Sequence, residues 1–167
     1  QMCMNFILTG NPGTGKTTIS RMMGDVLLSI GVLPTNRIVE ASRATLVGKY
    51  MGETPKIVNN MCDRAMGGIL FIDEAYTLCA ENDQYGKEAI DTLMKRMEDD
   101  RGKFVVIAAG YKEKMSQFMN VNPGLASRFT HKMHIDDYTE TELLEIFKSM
   151  ATKDQYILSP EAEMRLS

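Results

Sequence analysis

No stretch of the sequence reaches the roughly 18 consecutive apolar residues that a helix needs to cross a bilayer. No basic run is present either. Nineteen Lys and Arg stand against 22 Asp and Glu, for a formal charge of −3. That balance makes no electrostatic case for nucleic acid as a partner. Cysteine is scarce, with three in 167 residues. Cys3, Cys62 and Cys79 form no C-x-x-C pair, and an odd count fits free thiols in a reducing cytosol. As small apolar side chains, all three read as core residues. No secretory signal peptide stands at the start, which reads as the inside of a fold. Internal repeats and low-complexity segments are absent.

What is present is ordinary globular material: 44% hydrophobic and 25% charged residues. The length suits one compact domain, or one domain and a fragment of a second. Methionine is plentiful, at 14 residues. Met22, Met23, Met61, Met94 and Met97 fall on apolar helix faces, where a flexible thioether fills the core.

The most informative stretch is Gly10-Asn11-Pro12-Gly13-Thr14-Gly15-Lys16-Thr17, which fits G-x-x-x-x-G-K-[ST] and is followed by Thr18. This is the phosphate-cradling P-loop pattern. Its context agrees, because Phe6–Thr9 reads as a strand running in and Ile19, Met22, Met23, Val26, Leu27 and Ile30 recur at helical spacing. Glycines let the backbone approach phosphate oxygens. The positive end of the following helix then faces their charge. Lys16 would reach the β- and γ-phosphates of a nucleotide, and the Thr17 hydroxyl would bind Mg²⁺.

Taken in order, the chain alternates strands and helices. The first strand spans about Met2 to Thr9, and its near-continuous apolar run predicts burial on both faces. A helix over Lys16–Ile30 stops near Gly31 and Pro34. Arg37–Ala41 reads as a strand, Ser42–Glu53 as a loop, and Thr54 onward as a helix ended by Gly67 and Gly68. Ile69–Ile72 is the third strand. Ala80–Tyr85 reads as loop, Lys87–Asp99 as helix and Phe104–Ala109 as the fourth strand. A short helix over Lys112–Met119 precedes the turn signal Asn122-Pro123-Gly124. His131–Ile135 is the fifth strand. Thr139 and Glu142 form a capping-box pattern. Ser159-Pro160 reads as the start of one more helix. The pattern predicts an α/β fold with a parallel sheet between helices.

Ile69-Leu70-Phe71-Ile72 ends in Asp73-Glu74. Ligands of open α/β sheets bind at the carboxyl ends of strands, so both acids should lie beside the P-loop. Asp73 is the partner expected for the Mg²⁺ shell, and Glu74 could polarise an attacking water. The second acid favours hydrolysis over transfer to a bound acceptor. A plain acidic loop cap is the alternative.

With these residues the chain resembles the AAA+ ATPases. Gly10–Thr17 is similar to their Walker A motif and Phe71-Ile72-Asp73-Glu74 to Walker B. Leu46–Thr54, Phe71–Tyr76 and Ala108-Ala109-Gly110-Tyr111 together resemble the CbbX/CfxQ branch, which includes red-type Rubisco activases and SpoVK-like proteins. The resemblance covers nearly the whole chain. It implies a P-loop NTPase sandwich of three layers around a five-stranded parallel sheet. It further implies an AAA+ core over 1–137 and the start of a helical lid over 138–167. The cofactors would be ATP and Mg²⁺. Such proteins form ring hexamers with ATP between subunits and act on protein substrates in the cytoplasm. Arg128, in Ala126-Ser127-Arg128-Phe129, falls at the family's arginine finger, with an ordinary ion pair as the alternative. Arg101 is a weaker interface candidate. Lys49-Tyr50-Met51-Gly52 resembles the substrate-gripping pore loop, unless Tyr50 packs on its own domain.

One departure concerns the polar sensor after the fourth strand, a place held here by Gly110 or Tyr111; the Tyr111 hydroxyl could reach the γ-phosphate. His131 and His134 alternate along a strand with no Cys partner, and a structural role is expected for them. The family's second sensor arginine lies later than any residue here, and Arg165 falls too early for it. A short core of this kind is expected to be a poor ATPase alone, and monomeric. The implied function is Mg-dependent ATP hydrolysis that remodels a protein through a ring pore. The alternative is a nucleotide-gated binding or scaffold module with little turnover. No Asn-Lys-x-Asp guanine reader supports a GTPase, no acceptor site a kinase, and no basic cluster a helicase.

Overall fold

The computed structural model describes residues 4–11 and 15–158, with the backbone alone for 154–158. Five strands form one sheet: β1 Phe6–Thr9, β2 Ile38–Ala41, β3 Ile69–Ile72, β4 Val105–Gly110 and β5 His131–His134. Their order is β2-β3-β4-β1-β5, and every neighbouring pair is parallel. The helices are α1 Lys16–Ser29, α2 Arg43–Leu46, α3 Glu53–Ala65, α4 Gln84–Asp99, α5 Lys112–Val121, α6 Pro123–Arg128 and α7 Glu140–Leu158. Short 3-10 turns cover Ala75–Cys79 and Ile135–Asp137.

Strand side chains alternate between two cores, because successive residues point to opposite faces. Phe6, Leu8, Ile69, Phe71, Val105 and Ile107 meet Ile19, Met23 and Leu27 of α1 and Leu143 and Phe147 of α7. Ile7, Leu70, Ile72, Val106 and Ala108 meet α3 to α6 through Val58, Cys62, Leu93, Met97, Phe118 and Leu125. Helices on both faces leave the inner strands no polar side, which accounts for their unbroken apolar runs. Met23, Met61 and Met97 are buried in these cores, as their helical spacing suggested.

Several boundaries differ from the sequence-based expectation. The first strand begins at Phe6, because the buried Asn5 side chain takes over the pairing ahead of it. Its Oδ1 accepts from the Val106 amide at 2.8 Å, and its Nδ2 donates to the Arg128 carbonyl at 3.2 Å. The second strand starts at Ile38, the fourth runs Val105–Gly110, and the fifth stops at His134, where the chain tightens into a 3-10 turn. Ser42–Glu53 is not wholly loop: a capping box between Ser42 and Thr45 opens the single turn of α2. Asn122-Pro123-Gly124 starts α6 rather than a plain turn. The Asn122 side chain accepts from the Gly124 amide at 2.9 Å and Pro123 takes the first helical position, where its missing N–H costs nothing. Asp83 caps α4 earlier than expected, accepting from the Gly86 amide at 3.0 Å. The Thr139–Glu142 box opens α7 as expected, with paired bonds of 2.9 and 3.2 Å. Cys3, Ser159, Pro160 and Arg165 lie outside the described residues.

Candidate functional site

Parallel strands in register bring their carboxyl ends to one edge of the sheet. Thr9 stands level with Gly110 on one side and His134 on the other, and Ile72 stands level with Ala108 and Ala41. The segment with the P-loop pattern leaves β1 and the acid pair leaves β3 at this edge, so the topology brings to one edge what the sequence holds 63 residues apart (Gly10 to Asp73).

The loop is tied down where it leaves β1. The Gly10 amide donates to the Gly110 carbonyl at 3.2 Å. The Asn11 amide donates to the Asp136 carboxylate at 3.2 Å. Pro12, Gly13 and Thr14 lie outside the described residues. Gly15 has φ 81° and ψ 32°, left-handed values that a residue with a Cβ adopts only at a cost. No side chain caps α1 at Gly15, and the start of a helix is where backbone amides can receive an anion. The Lys16 ammonium donates to the Gly10 and Asn11 carbonyls, each at 3.2 Å. Thr17 is half-buried in the first turn and Thr18 is exposed.

Asp73 and Glu74 are both exposed. Among the described residues neither carboxylate has a hydrogen-bond or ion-pair partner, so two hard oxygen ligands and the Thr17 hydroxyl share the edge. That donor set fits Mg²⁺, which takes oxygen ligands and keeps several waters. Glu74 has φ 48° and ψ 50°, a conformation costing on the order of 1 kcal/mol for a residue with a Cβ. Thr77 holds it there, its amide and hydroxyl donating to the Glu74 carbonyl at 2.9 and 2.7 Å. The Ala75–Cys79 turn is anchored by buried Ala75 and Leu78.

Gly110, one of the two residues at the expected sensor position, has no room for a side chain. A Cβ at Gly110 would stand 2.8 Å from the Met115 sulfur and 2.9 Å from Tyr76 Cδ1. No polar side chain can occupy 110 without displacing them. Tyr111, next in the chain, is half-buried at the start of α5, with its ring 6.1 Å from that of Tyr76. Burial, and then the charges of Glu74, Tyr111 and Asp73, raise the Tyr76 hydroxyl above its ordinary value.

Other candidates are placed as follows. Tyr50 and Met51 are 73% and 87% exposed, so Tyr50 does not pack on its own domain. Their loop is a closed turn. Glu53 accepts from the Tyr50 amide at 2.8 Å, the Gly48 amide donates to the Thr54 hydroxyl at 3.1 Å, and Gly52 takes φ 84°. Lys49 is exposed beside them. Arg128 ends α6 with a side chain 25% exposed. Its guanidinium donates to the Met94 and Gly124 carbonyls, each at 3.1 Å, and lies 3.9 Å from Glu98. Arg101 is paired with the same Glu98 at 2.9 Å. His131 stacks on Phe6 at 5.1 Å, and His134 Nδ1 meets the Thr9 hydroxyl at 2.7 Å. Among the described residues no three His, Cys, Asp or Glu side chains gather as a metal site. Cys62 and Cys79 are free, and burial pushes each thiol up to about 11. Among the described residues no helix is long and apolar enough to cross a membrane.

Sequence reasoning missed Asp136 and Asn5, and gave Tyr76 no role. Asp136 and Asn5 act through contacts more than 100 residues away, which no local spacing announces. Tyr76 was visible as the aromatic that closes the Phe71–Tyr76 stretch, two residues after the acid pair.

The profile of the AAA family, "ATPase family associated with various cellular activities", matches residues 6–137. The chain is 45% identical over 167 residues to Stage V sporulation protein K of Bacillus subtilis, covering 99% of this chain and 52% of that protein. It is also 45% identical over 162 residues to the chloroplastic ribulose bisphosphate carboxylase/oxygenase activase of Cyanidioschyzon merolae, covering 96% and 55%. The chain thus spans about half the length of these curated relatives. Its backbone is similar to the FIGL-1 AAA domain solved with ADP, at TM-score 0.52 and 20% identity, covering 80% of this chain and 43% of that one. That likeness speaks for the fold. A parallel sheet with a P-loop and an acid pair on one edge, together with these matches, means that the chain belongs to the AAA family of ATPases, in the branch of the sporulation and Rubisco-activase relatives that its motifs resemble.

Proposed function

We propose that the chain is the core of a Mg²⁺-dependent ring ATPase that remodels or threads a protein substrate through a central pore. The phosphates would lie on Gly10–Thr18, with Lys16 on the β- and γ-phosphates. Thr17 and Asp73 would hold Mg²⁺, which when bound neutralises phosphate charge. Glu74 would orient and polarise the attacking water. Tyr111 would face the γ-phosphate as the sensor. Arg128 would complete the neighbouring subunit's site, in a hexamer with ATP between subunits. Residues 1–137 would be the nucleotide-binding core, with α7 opening the lid from 138, and the site of action would be the cytoplasm.

The observation that carries the remodelling reading is the Lys49–Gly52 turn. A soluble surface gains nothing by holding an aromatic and a methionine side chain 73% and 87% exposed on a tight hydrogen-bonded loop. Such a pair suits a peptide of unspecified sequence, because one ring and one pliable thioether adapt to many side chains. The test uses the full-length protein with ATP and fluorescein-labelled casein as the substrate probe. Lys16→Ala should lose ATP binding. Glu74→Gln should bind ATP yet lose turnover by about a hundredfold or more, the scale of a lost general base. Tyr50→Ala should keep basal ATPase and lose casein processing. Casein processed by Tyr50→Ala at the wild-type rate would remove the pore-loop assignment.

A second reading has one observation in its favour. Arg128 spends its guanidinium on Met94, Gly124 and Glu98 of its own chain. If it stays there in the assembled ring, the protein is a nucleotide-gated binding module. Tight ATP binding without turnover in a ring would establish that instead.

A further inference from the structure

Three loops of the candidate site meet at one residue. The carbonyl of Gly110 accepts the Gly10 amide, the first link of the phosphate loop. The space where its side chain would be is filled from the other side by Tyr76 Cδ1 and the Met115 sulfur. Tyr76 belongs to the turn that begins at Glu74, with only buried Ala75 between them. Its ring lies 6.1 Å from that of Tyr111 at an interplanar angle of 46°. The Lys114 ammonium stands 5.5 Å from its centroid, within the range of a cation–π contact. A ring held from three sides leaves its turn little freedom. Glu74 needs that restraint, because its left-handed backbone is not a conformation it would keep unaided.

We propose that Tyr76 is a positioning residue for ATP hydrolysis: its ring, seated over Gly110 between Tyr111 and Lys114, holds the Glu74 turn in register with the phosphate loop. Gly110 is glycine so that this ring can sit there. The ring supplies the effect, and the hydroxyl is dispensable. The inference rests on Glu74 acting on the attacking water, and it predicts a defect in turnover with ATP binding preserved. Binding is carried by the phosphate loop itself, whereas the chemical step is sensitive to displacements of about an ångström, which can cost up to about a hundredfold in rate.

The experiment compares Tyr76→Ala, Tyr76→Phe, Gly110→Ala and Glu74→Gln in the full-length protein. It measures kcat, the Kd of a fluorescent ATP analogue and thermal unfolding. Tyr76→Ala should lose kcat by about tenfold or more with Kd within about twofold, as expected when an interaction serves the transition state alone. Tyr76→Phe should stay near wild type. Gly110→Ala, with Tyr76 intact but displaced, should repeat the turnover defect, and adding it to Tyr76→Ala should cost less than it does alone. If Tyr76→Ala fails to fold, Gly110→Ala and Tyr76→Phe still decide. Wild-type kcat in Gly110→Ala, or a Tyr76→Phe as slow as Glu74→Gln, would overturn the proposal. Wild-type kcat in Glu74→Gln would overturn the underlying site assignment as well. Loss in Glu74→Gln with none in Tyr76→Ala and Gly110→Ala would overturn the positioning role alone.

Discussion

Asp83 joins two parts of the molecule that the chain separates by 40 residues. Its carboxylate receives the Arg43 guanidinium as a fork, Nε at 2.9 Å and Nη2 at 3.0 Å, and caps α4 by accepting from the Gly86 amide at 3.0 Å. Arg43 sits in α2, the single turn that precedes the Tyr50 loop. Removing the side chain in Asp83→Ala takes away both functions. Loss of an N-cap costs about 1 kcal/mol. A paired, charge-assisted bond of this geometry would contribute about 1.5 to 3 kcal/mol when shielded. The Arg43 side chain is 40% exposed against 11% for Asp83, so solvent screening reduces that to about 1 kcal/mol. Asp83→Ala should therefore cost about 2 kcal/mol in urea unfolding. Asp83→Asn keeps an oxygen for the cap but turns an amide donor toward Arg43, and should cost about 1 kcal/mol. The pH dependence has a definite sign. The Arg43 hydrogen bond, followed by smaller contributions from the Gly86 amide and the Arg43 charge, holds the Asp83 carboxyl below its ordinary value against the opposing effect of burial. Its contribution is complete above the unfolded-state value of about 3.9 and fades as pH falls through the lower folded value. The gap between wild type and Asp83→Asn should shrink over that acid range and stay flat from pH 5 to 8. Equal losses in the Ala and Asn variants, or a gap that widens in acid, would refute the reasoning.

Two other expectations follow. Arg128→Ala and Glu74→Gln subunits should each be inactive alone, yet an equal mixture should regain turnover. About a quarter of the interfaces in random head-to-tail rings pair an intact Glu74 with a neighbour's Arg128; a mixture as inactive as either variant would remove Arg128 from the neighbour's site. Burial pushes the Cys62 and Cys79 thiols up to about 11, so at pH 8 both should react slowly with a disulfide reagent and quickly once unfolded in guanidinium. Peptide mapping reads the two sites separately, and native rates equal to those of the unfolded chain would contradict the burial.

Local chemistry explains what was legible from sequence. A phosphate loop needs glycines and a lysine at set spacing, and a buried parallel strand needs an unbroken apolar run. The strand before the P-loop pattern, the helix after it and the Ile69–Ile72 strand were therefore readable, as was the Thr139–Glu142 box that opens α7. The same local rules misled at Asn122-Pro123-Gly124, where turn chemistry and a helix start use the same residues. They also missed α2 and the Ala75–Cys79 turn, whose single turns are too short to show a period.

The sequence by itself determined the alternation of strands and helices, the P-loop pattern, the acid pair at the end of β3, and membership of the AAA family. Only the tertiary structure decided the strand order that puts β1 between β4 and β5 and brings Gly10 to Gly110. It alone decided that Tyr76 fills the place of a side chain at 110, that Tyr50 and Met51 stand free, and that Arg128 lies against Met94 and Gly124. Motifs are set by bonding needs within a few residues. These other facts depend on which distant surfaces exclude water together, and that is settled only when the whole chain packs.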